Sequence, residues 1–323
     1  MNVCASVETA RGSGAIAIVR LAGPDLEQSL ASLGLAEIGI GQVKLADFLG
    51  VDRGIAARWD QITLDLMIHG GHGVLKALLD RLHDHGITIA SDLAPTIAWP
   101  EAADDIEARM LDMLSRARGT RTTDLLLAQP ARWRAAPNAT PNDAPALAHL
   151  LTPPLVAIWG PANIGKSTLV NRLARESVSV VADIAGTTRD AVSVHVQLDG
   201  LVVRLLDAPG VADDETDPLV LEATHIAHAL ASRASLILLC GDAESPAPPT
   251  FAPIRHDANA TSPDSMLIAL RADRGRPDWS RDLDVSALTG EGIEELAALV
   301  RERLVPDHVL ADPRPWRFWA QSH

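Results

Sequence analysis

The sequence predicts an α/β chain. Its main part is a phosphate-loop domain with a three-layer, mostly parallel sheet, preceded by a small α+β domain and a reduced helical linker. Three observations predict this. Gly160–Ser167 reads G-x-x-x-x-G-K-S, between the apolar run Leu155–Trp159 and a helical spacing of Leu169, Val170 and Leu173. Downstream, two alternating runs flank Asp199-Gly200, a hairpin signal, and the second ends in Asp207-x-x-Gly210. Upstream, short strand-like runs surround one amphipathic helix.

The loop carries the strongest chemistry. A strand, a glycine loop and a helix in that order wrap backbone N–H groups around phosphates. Lys166 is placed to reach the β/γ-phosphates and the Ser167 hydroxyl to bind Mg²⁺. Gly160, Ile164, Gly165 and Thr168 complete the cradle. The chain has only three lysines, Lys44, Lys76 and Lys166, so chance supplies this motif rarely.

The first unit covers residues 1–98. "GAIAIVRLAG" and "ITLDLMIHGGHG" read as strands ending in turns. "GVLKALLDRLHDHG" reads as a helix, with Val74, Leu75, Leu78, Leu79 and Leu82 on one face and a stop at Gly86. Residues 99–151 form a helical, arginine-rich segment (Arg109 to Arg134) and the Pro/Ala/Asn linker "AAPNATPNDAPA". The arginines suit either tRNA phosphates or the solvated face of a helix. Residues 152–305 are the nucleotide domain, and 306–323 a short proline-interrupted tail.

Bulk properties narrow the function. Over 323 residues the net charge is −14, which argues against a broad nucleic-acid-binding face. Two cysteines, Cys4 and Cys240, make no disulfide or metal framework; Cys240 ends an apolar run and reads as a core thiol. No apolar run approaches membrane-spanning length and no signal pattern opens the chain, so a cytoplasmic protein without a membrane partner is expected.

A hairpin after the phosphate-loop helix, leading into D-x-x-G, is the arrangement of a small P-loop GTPase with a Ras-like sheet. There Asp207 reaches Mg²⁺ through water and the Gly210 N–H senses the γ-phosphate. A hydroxyl must also reach Mg²⁺ from the preceding segment, "DIAGTTRD" (183–190); Thr188 is the first choice and Thr187 the second.

Together, "GPANIGKSTLVNRL", "DIAGTTRD", "DAPG" and "VSALTGEGIEEL" resemble the G domain of the tRNA-modification GTPase MnmE (TrmE) family. "ARGSGAIAIVRLAGPD" and "IHGGHGVLKALLDRL" resemble that family's N-terminal domain. The resemblance covers about two thirds of the chain and is faint between 87 and 150. It implies GTP binding, slow hydrolysis to GDP and phosphate, and a relation to tRNA wobble-uridine modification. Mg²⁺ would be held by Ser167, Thr188 and Asp207, and K⁺ by Asn163. Glu222 would serve water activation, with Glu215 a weaker candidate. A folate derivative would lie near Arg20, His69 and Gly70. The resemblance also implies tRNA, a partner modification enzyme and a homodimer.

Departures accompany the likeness. The family's guanine-reading N-K-x-D is here Leu270-Arg271-Ala272-Asp273, so only Asp273 remains to accept the guanine N–H groups. Arg271 can lie along the base, and Ser286-Ala287 fits the second base loop. The position of the water-orienting glutamine is Val211. The family's C-terminal C-x-G-K motif and second helical half are not found, which leads to the expectation that this chain alone does not restore wobble-uridine modification. Two rival readings remain open: a non-catalytic guanine-nucleotide switch, and a ribosome-assembly GTPase of the Era or EngA kind.

Overall fold

A computed structural model describes residues 2–9, 14–176, 193–208, 218–248, 250–252 and 263–321. The chain divides into two compact units, 1–115 and 116–323. The division falls near the end of a helix, whereas the sequence reading set its boundaries at 98, 151 and 305.

In the first unit a six-stranded sheet has the order β3-β4-β5-β2-β1-β6. Its strands are β1 (Cys4–Val7), β2 (Ile16–Ala22), β3 (Val43–Phe48), β4 (Asp52–Arg58), β5 (Thr63–His69) and β6 (Thr88–Ile89). All neighbours are antiparallel except β1 and β6. Val19, Leu21, Leu64, Leu66 and Ile68 alternate along β2 and β5, which puts them in one core with Leu26 and Leu30 of α1 (Leu26–Ser32) and Leu78 and Leu82 of α2 (His72–Asp84). The expected strands and helix are thus present. The hairpin β3–β4 was not foreseen, because Val43, Leu45 and Ile55 are apolar yet exposed. Helices α3 (Pro95–Ala98) and α4 (Asp105–Arg116) follow.

The second unit is built on a sheet of order β12-β11-β10-β7-β9-β8. The strands are β7 (Leu155–Trp159), β8 (Ser193–Leu198), β9 (Leu201–Asp207), β10 (Leu236–Gly241), β11 (Asp264–Ala269) and β12 (Leu283–Asp284). Only the β8–β9 pair is antiparallel. Its turn, Asp199-Gly200, has φ of 43° and 80°, as an Asp-Gly hairpin turn requires. Ala157, Trp159, Leu206, Ile237 and Leu239 pack on Ala227 and Ala231 of α9 (Pro218–Ala231). Their alternates Val156, Ile158, Leu205 and Leu238 are also buried, as strands covered on both faces must be. Helices α8 (Lys166–Glu176) and α10 (Ile293–Leu304) also contact the sheet.

The segment expected as a linker and the one expected as a short tail join each other. Helices α5 (Thr120–Leu127), α6 (Gln129–Ala135) and α7 (Ala148–Leu151) precede the nucleotide domain, and α11 (Asp307–Leu310) follows it. Trp316 donates its backbone N–H to Gln129 Oε1 at 2.7 Å, and Trp133 Nε1 donates to the Trp316 carbonyl at 3.1 Å. Asn142, in the Pro/Ala/Asn stretch, bonds Pro315 O through its backbone and Val309 O through its side chain. Trp316 and Phe318 are fully buried. The tail is a packed element because its aromatic side chains bury apolar area that its length does not reveal.

Candidate nucleotide site

Strand β7 delivers the chain into the loop at Gly160, whose φ is +155°. A Cβ at Gly160 would lie 2.2 Å from the Cys240 carbonyl oxygen, so only glycine permits this approach to β10. Asn163 adopts the left-handed region (φ 63°), Ile164 is buried beneath the loop, and α8 begins at Lys166. The Lys166 ammonium donates to Gly160 O at 2.9 Å and Pro161 O at 2.6 Å. Burial lowers the Lys166 pKa, with Cys240 and Asp207 opposing. The Cys240 thiol is pushed up to about 12, chiefly by burial, and stays neutral.

Asp207 ends β9 beside the loop. Its Oδ1 is buried and has no hydrogen-bond partner among the described residues. An unsatisfied buried acceptor costs free energy unless a ligand or its water serves it. Asn163, Lys166, Ser167, Thr168, Asp207 and Arg271 line one cavity of about 560 Å³ together with Ala162, Gly165 and Ala208.

The base side adjoins it. Strand β11 runs into Leu270, which is buried, and then Arg271. Arg271 Nη2 donates to the Asn163 carbonyl, and Nη1 lies 3.3 Å from Asp242 Oδ2. Asp273 accepts a hydrogen bond from the Ser286 hydroxyl at 2.5 Å. Ala287 lines a neighbouring cavity with Thr168, Asn171, Arg172, Arg175 and Leu288. Arg271 was read from the sequence only as a companion of the base; its grip on the loop backbone emerges from the fold. Its place in the N-K-x-D slot was the available signal.

Thr187, Thr188, Gly210, Val211 and Glu215 lie outside the described residues. Glu222 is exposed on α9 and is not among the residues lining the cavity.

Comparison with known proteins places this site in a family. The 50S ribosome-binding GTPase family matches residues 155–270. The tRNA modification GTPase MnmE of Acidiphilium cryptum is 37% identical over 210 residues, covering 64% of this chain and 46% of that protein. MnmE of Rhodopseudomonas palustris is 35% identical, covering 46% of this chain and 35% of that protein, and MnmE of Sphingopyxis alaskensis is 35% identical, covering 46% and 34%. Over the matched residues the chain is similar to the MnmE family, as a divergent relative. Its matches span less than half the length of these relatives. Among solved structures, Aquifex aeolicus Era bound to GDP and AlF4⁻ is 25% identical, with a TM-score of 0.36, covering 46% of this chain and 56% of that one. The cytosolic domain of the T. maritima FeoB iron transporter in a GDP form is 21% identical, with a TM-score of 0.32, covering 47% and 63%.

The MnmE resemblance drew Arg20, His69 and Gly70 toward a folate site, and the structure gives two of them partners within the chain. Arg20 is neither a surface arginine nor a free ligand. It is buried, with Nε and Nη2 on Asp65 at 2.6 and 2.7 Å and Nη1 on the Ala98 carbonyl. Burial opposes its charge, but Asp65 outweighs this and raises its pKa. His69 is exposed, with Nδ1 2.9 Å from Asp52 Oδ1. The cavity of about 360 Å³ at Gly70 is lined by Thr9, Ile16, His72 and Ser91 among others, and by neither Arg20 nor His69. The arginine-rich segment likewise has partners inside the chain: Arg109 on Asp105, Arg121 on Asp199 and Arg132 on the Asp312 carbonyl. Among the described residues, no helix is long and apolar enough to cross a membrane.

Proposed function

We propose that this chain binds GTP and hydrolyses it to GDP and phosphate, and that this activity serves tRNA modification, as the names of its MnmE relatives suggest, at the wobble uridine that the sequence resemblance implies. One observation carries the nucleotide reading: the unpartnered Asp207 Oδ1 shares a cavity with Lys166 and Ser167 at the start of α8. Backbone N–H groups at that helix start and the Lys166 ammonium suit the β- and γ-phosphates. Gly160, Ile164, Gly165 and Thr168 shape the cradle, while Gly210 would sense the γ-phosphate. Ser167 and Asp207 fit a hard cation of the Mg²⁺ type, with Thr188 as the third holder, and when bound the ion neutralises charge on the phosphates. Asn163 would hold K⁺ at the loop. Asp273, set by Ser286, would accept the guanine N–H groups, with Ala287 offering its N–H to the base and Arg271 lying along it.

For the reaction, a water must be oriented in line with the γ-phosphate. Val211 has no group for this, so Glu222 of α9 is assigned that role. Two copies meeting through their G domains, tRNA and a modification enzyme are the partners this reading requires, in the cytoplasm.

Turnover of GTP and ATP by the full chain, in K⁺ and in Na⁺ buffer, tests it. GTP turnover that K⁺ stimulates and Asn163→Ala desensitises is expected. Equal rates in both salts remove the cation site. Nucleotide binding without turnover favours the second reading, a guanine-nucleotide switch, which buried Leu270 in place of asparagine supports. Mass spectrometry of tRNA nucleosides from cells lacking MnmE, with and without this chain, tests the tRNA role: no restoration by this chain alone is expected, and normal levels of the modified uridine would overturn that expectation.

A further inference from the structure

The tip of the β8–β9 hairpin lies at the opposite end of β9 from the nucleotide cavity, and it is held unusually firmly. Asp199 is the centre. Arg121 of α5 donates from Nε to the Asp199 carbonyl at 2.6 Å and from Nη2 to both carboxylate oxygens at 2.8 Å. Arg301 of α10 donates from Nε to Asp199 Oδ2 at 2.9 Å. Arg301 is itself buried and fixed by Glu302 at 2.5 Å and Asp307 at 2.7 Å. The backbones also touch. The Arg121 N–H donates to Gly200 O at 3.3 Å, and a Cβ on Gly119 would come within 2.5 Å of that same oxygen.

Between this turn and the cavity runs β9, Leu201–Asp207, about 20 Å of strand paired on both sides. One end presents the unpartnered Asp207 Oδ1 to the nucleotide; the other is bolted to the first turn of α5. Helix α5 leads directly into α6, which carries Gln129 and Trp133, the residues that hold the tail. A strand paired on both sides neither stretches nor slides alone, so a displacement of Asp207 by a ligand would reach the turn as a movement of β9 together with β8.

We propose that Asp199, clamped by Arg121 and Arg301, relays nucleotide state from the cavity to α5, α6 and the packed tail. This rests on the nucleotide reading above. Without the clamp, the turn would move and leave α5 behind.

The test uses hydrogen exchange on the full chain with mantGDP and with mantGppNHp, each at a concentration shown by fluorescence to saturate. Asp199→Asn keeps the turn, since Asn-Gly adopts the same conformation, and removes the carboxylate. Arg121→Gln removes one side of the clamp and leaves Arg301. In the parent, exchange in Thr120–Leu127 should differ at least threefold between the two nucleotides. In both variants that difference should vanish while the affinities stay within threefold of the parent. A parent that binds both nucleotides yet exchanges equally in α5 overturns the relay alone. So does a variant that keeps the difference. Failure of either nucleotide to bind overturns the nucleotide reading, and the relay with it.

Discussion

Ser286 and Asp273 are thirteen residues apart and meet through one hydrogen bond, the Ser286 hydroxyl donating to Asp273 Oδ1 at 2.5 Å. Ser286 is fully buried and Asp273 is exposed, so a fixed donor orients a carboxylate that faces outward. In the guanine-nucleotide reading proposed above, the oriented acid would accept two parallel N–H donors, the pattern of a guanine edge.

Guanine preference should therefore depend on both residues. GTP and GDP should bind more tightly than ATP. Asp273→Ala should erase the preference, at a cost of roughly 2–3 kcal/mol for guanine. Ser286→Ala should weaken it less, because Asp273 remains but is free to rotate. Titration with fluorescent GDP and ADP measures this, and equal affinities in the parent would contradict it.

The phosphate end should be more sensitive. Lys166→Ala removes the buried ammonium beside the loop and should nearly abolish binding of both GDP and GTP. Ser167→Ala should weaken GTP more than GDP, and raising Mg²⁺ should strengthen GTP binding in the parent but not in the variant. Calorimetry with and without EDTA separates the two effects. A Lys166→Ala variant that binds like the parent would mean the loop is not a phosphate cradle.

Packing of the tail gives a stability prediction. Trp316 is 1% exposed and bears on the helical segment through Gln129 and Trp133. Trp316→Ala should destabilise the second unit by about 3–5 kcal/mol. Trp316→Phe should cost much less, because Trp316 Nε1 has no acceptor among the described residues and its loss leaves no bond broken. Urea unfolding followed by circular dichroism distinguishes the two variants. Equally large losses would mean that the packing needs the whole indole and that a phenyl ring cannot replace it.

Asp199 gives a pH dependence. Burial opposes its charge, but hydrogen bonds from Arg121 and Arg301 outweigh that and hold its pKa below the ordinary 3.8. A depressed carboxyl contributes stability that is fully present above the unfolded pKa and is lost as pH falls through the lower folded value. Asp199→Asn should thus be less stable than the parent by roughly 1–2 kcal/mol at pH 7. The gap should persist down to about pH 4 and close below it. Denaturation curves from pH 7 to 2.5 check this; a gap that stays constant to the acid end would assign the stability to the turn and not to the ion pairs.

The sequence by itself determined the nucleotide domain. Gly160, Lys166 and Ser167 at fixed spacing, the Asp199-Gly200 turn and the Asp207 that ends β9 are local signals: each depends on its neighbours in the chain, and the backbone conformation they need is written within a few residues. It also exposed Leu270 and Arg271 as departures, because a short motif can be read position by position. Tertiary structure alone decided the rest. Arg20 reads only as a neighbour of a folate derivative until Asp65, 45 residues away, closes on it. The tail reads only as short and proline-interrupted until Gln129, 187 residues away, meets Trp316. Asp199 reads as a turn residue until α5 and α10 deliver Arg121 and Arg301 to it. The reason is the same in each case. An ion pair or a buried indole is stabilised by a partner that the fold brings near, and spacing along the chain carries no record of that approach.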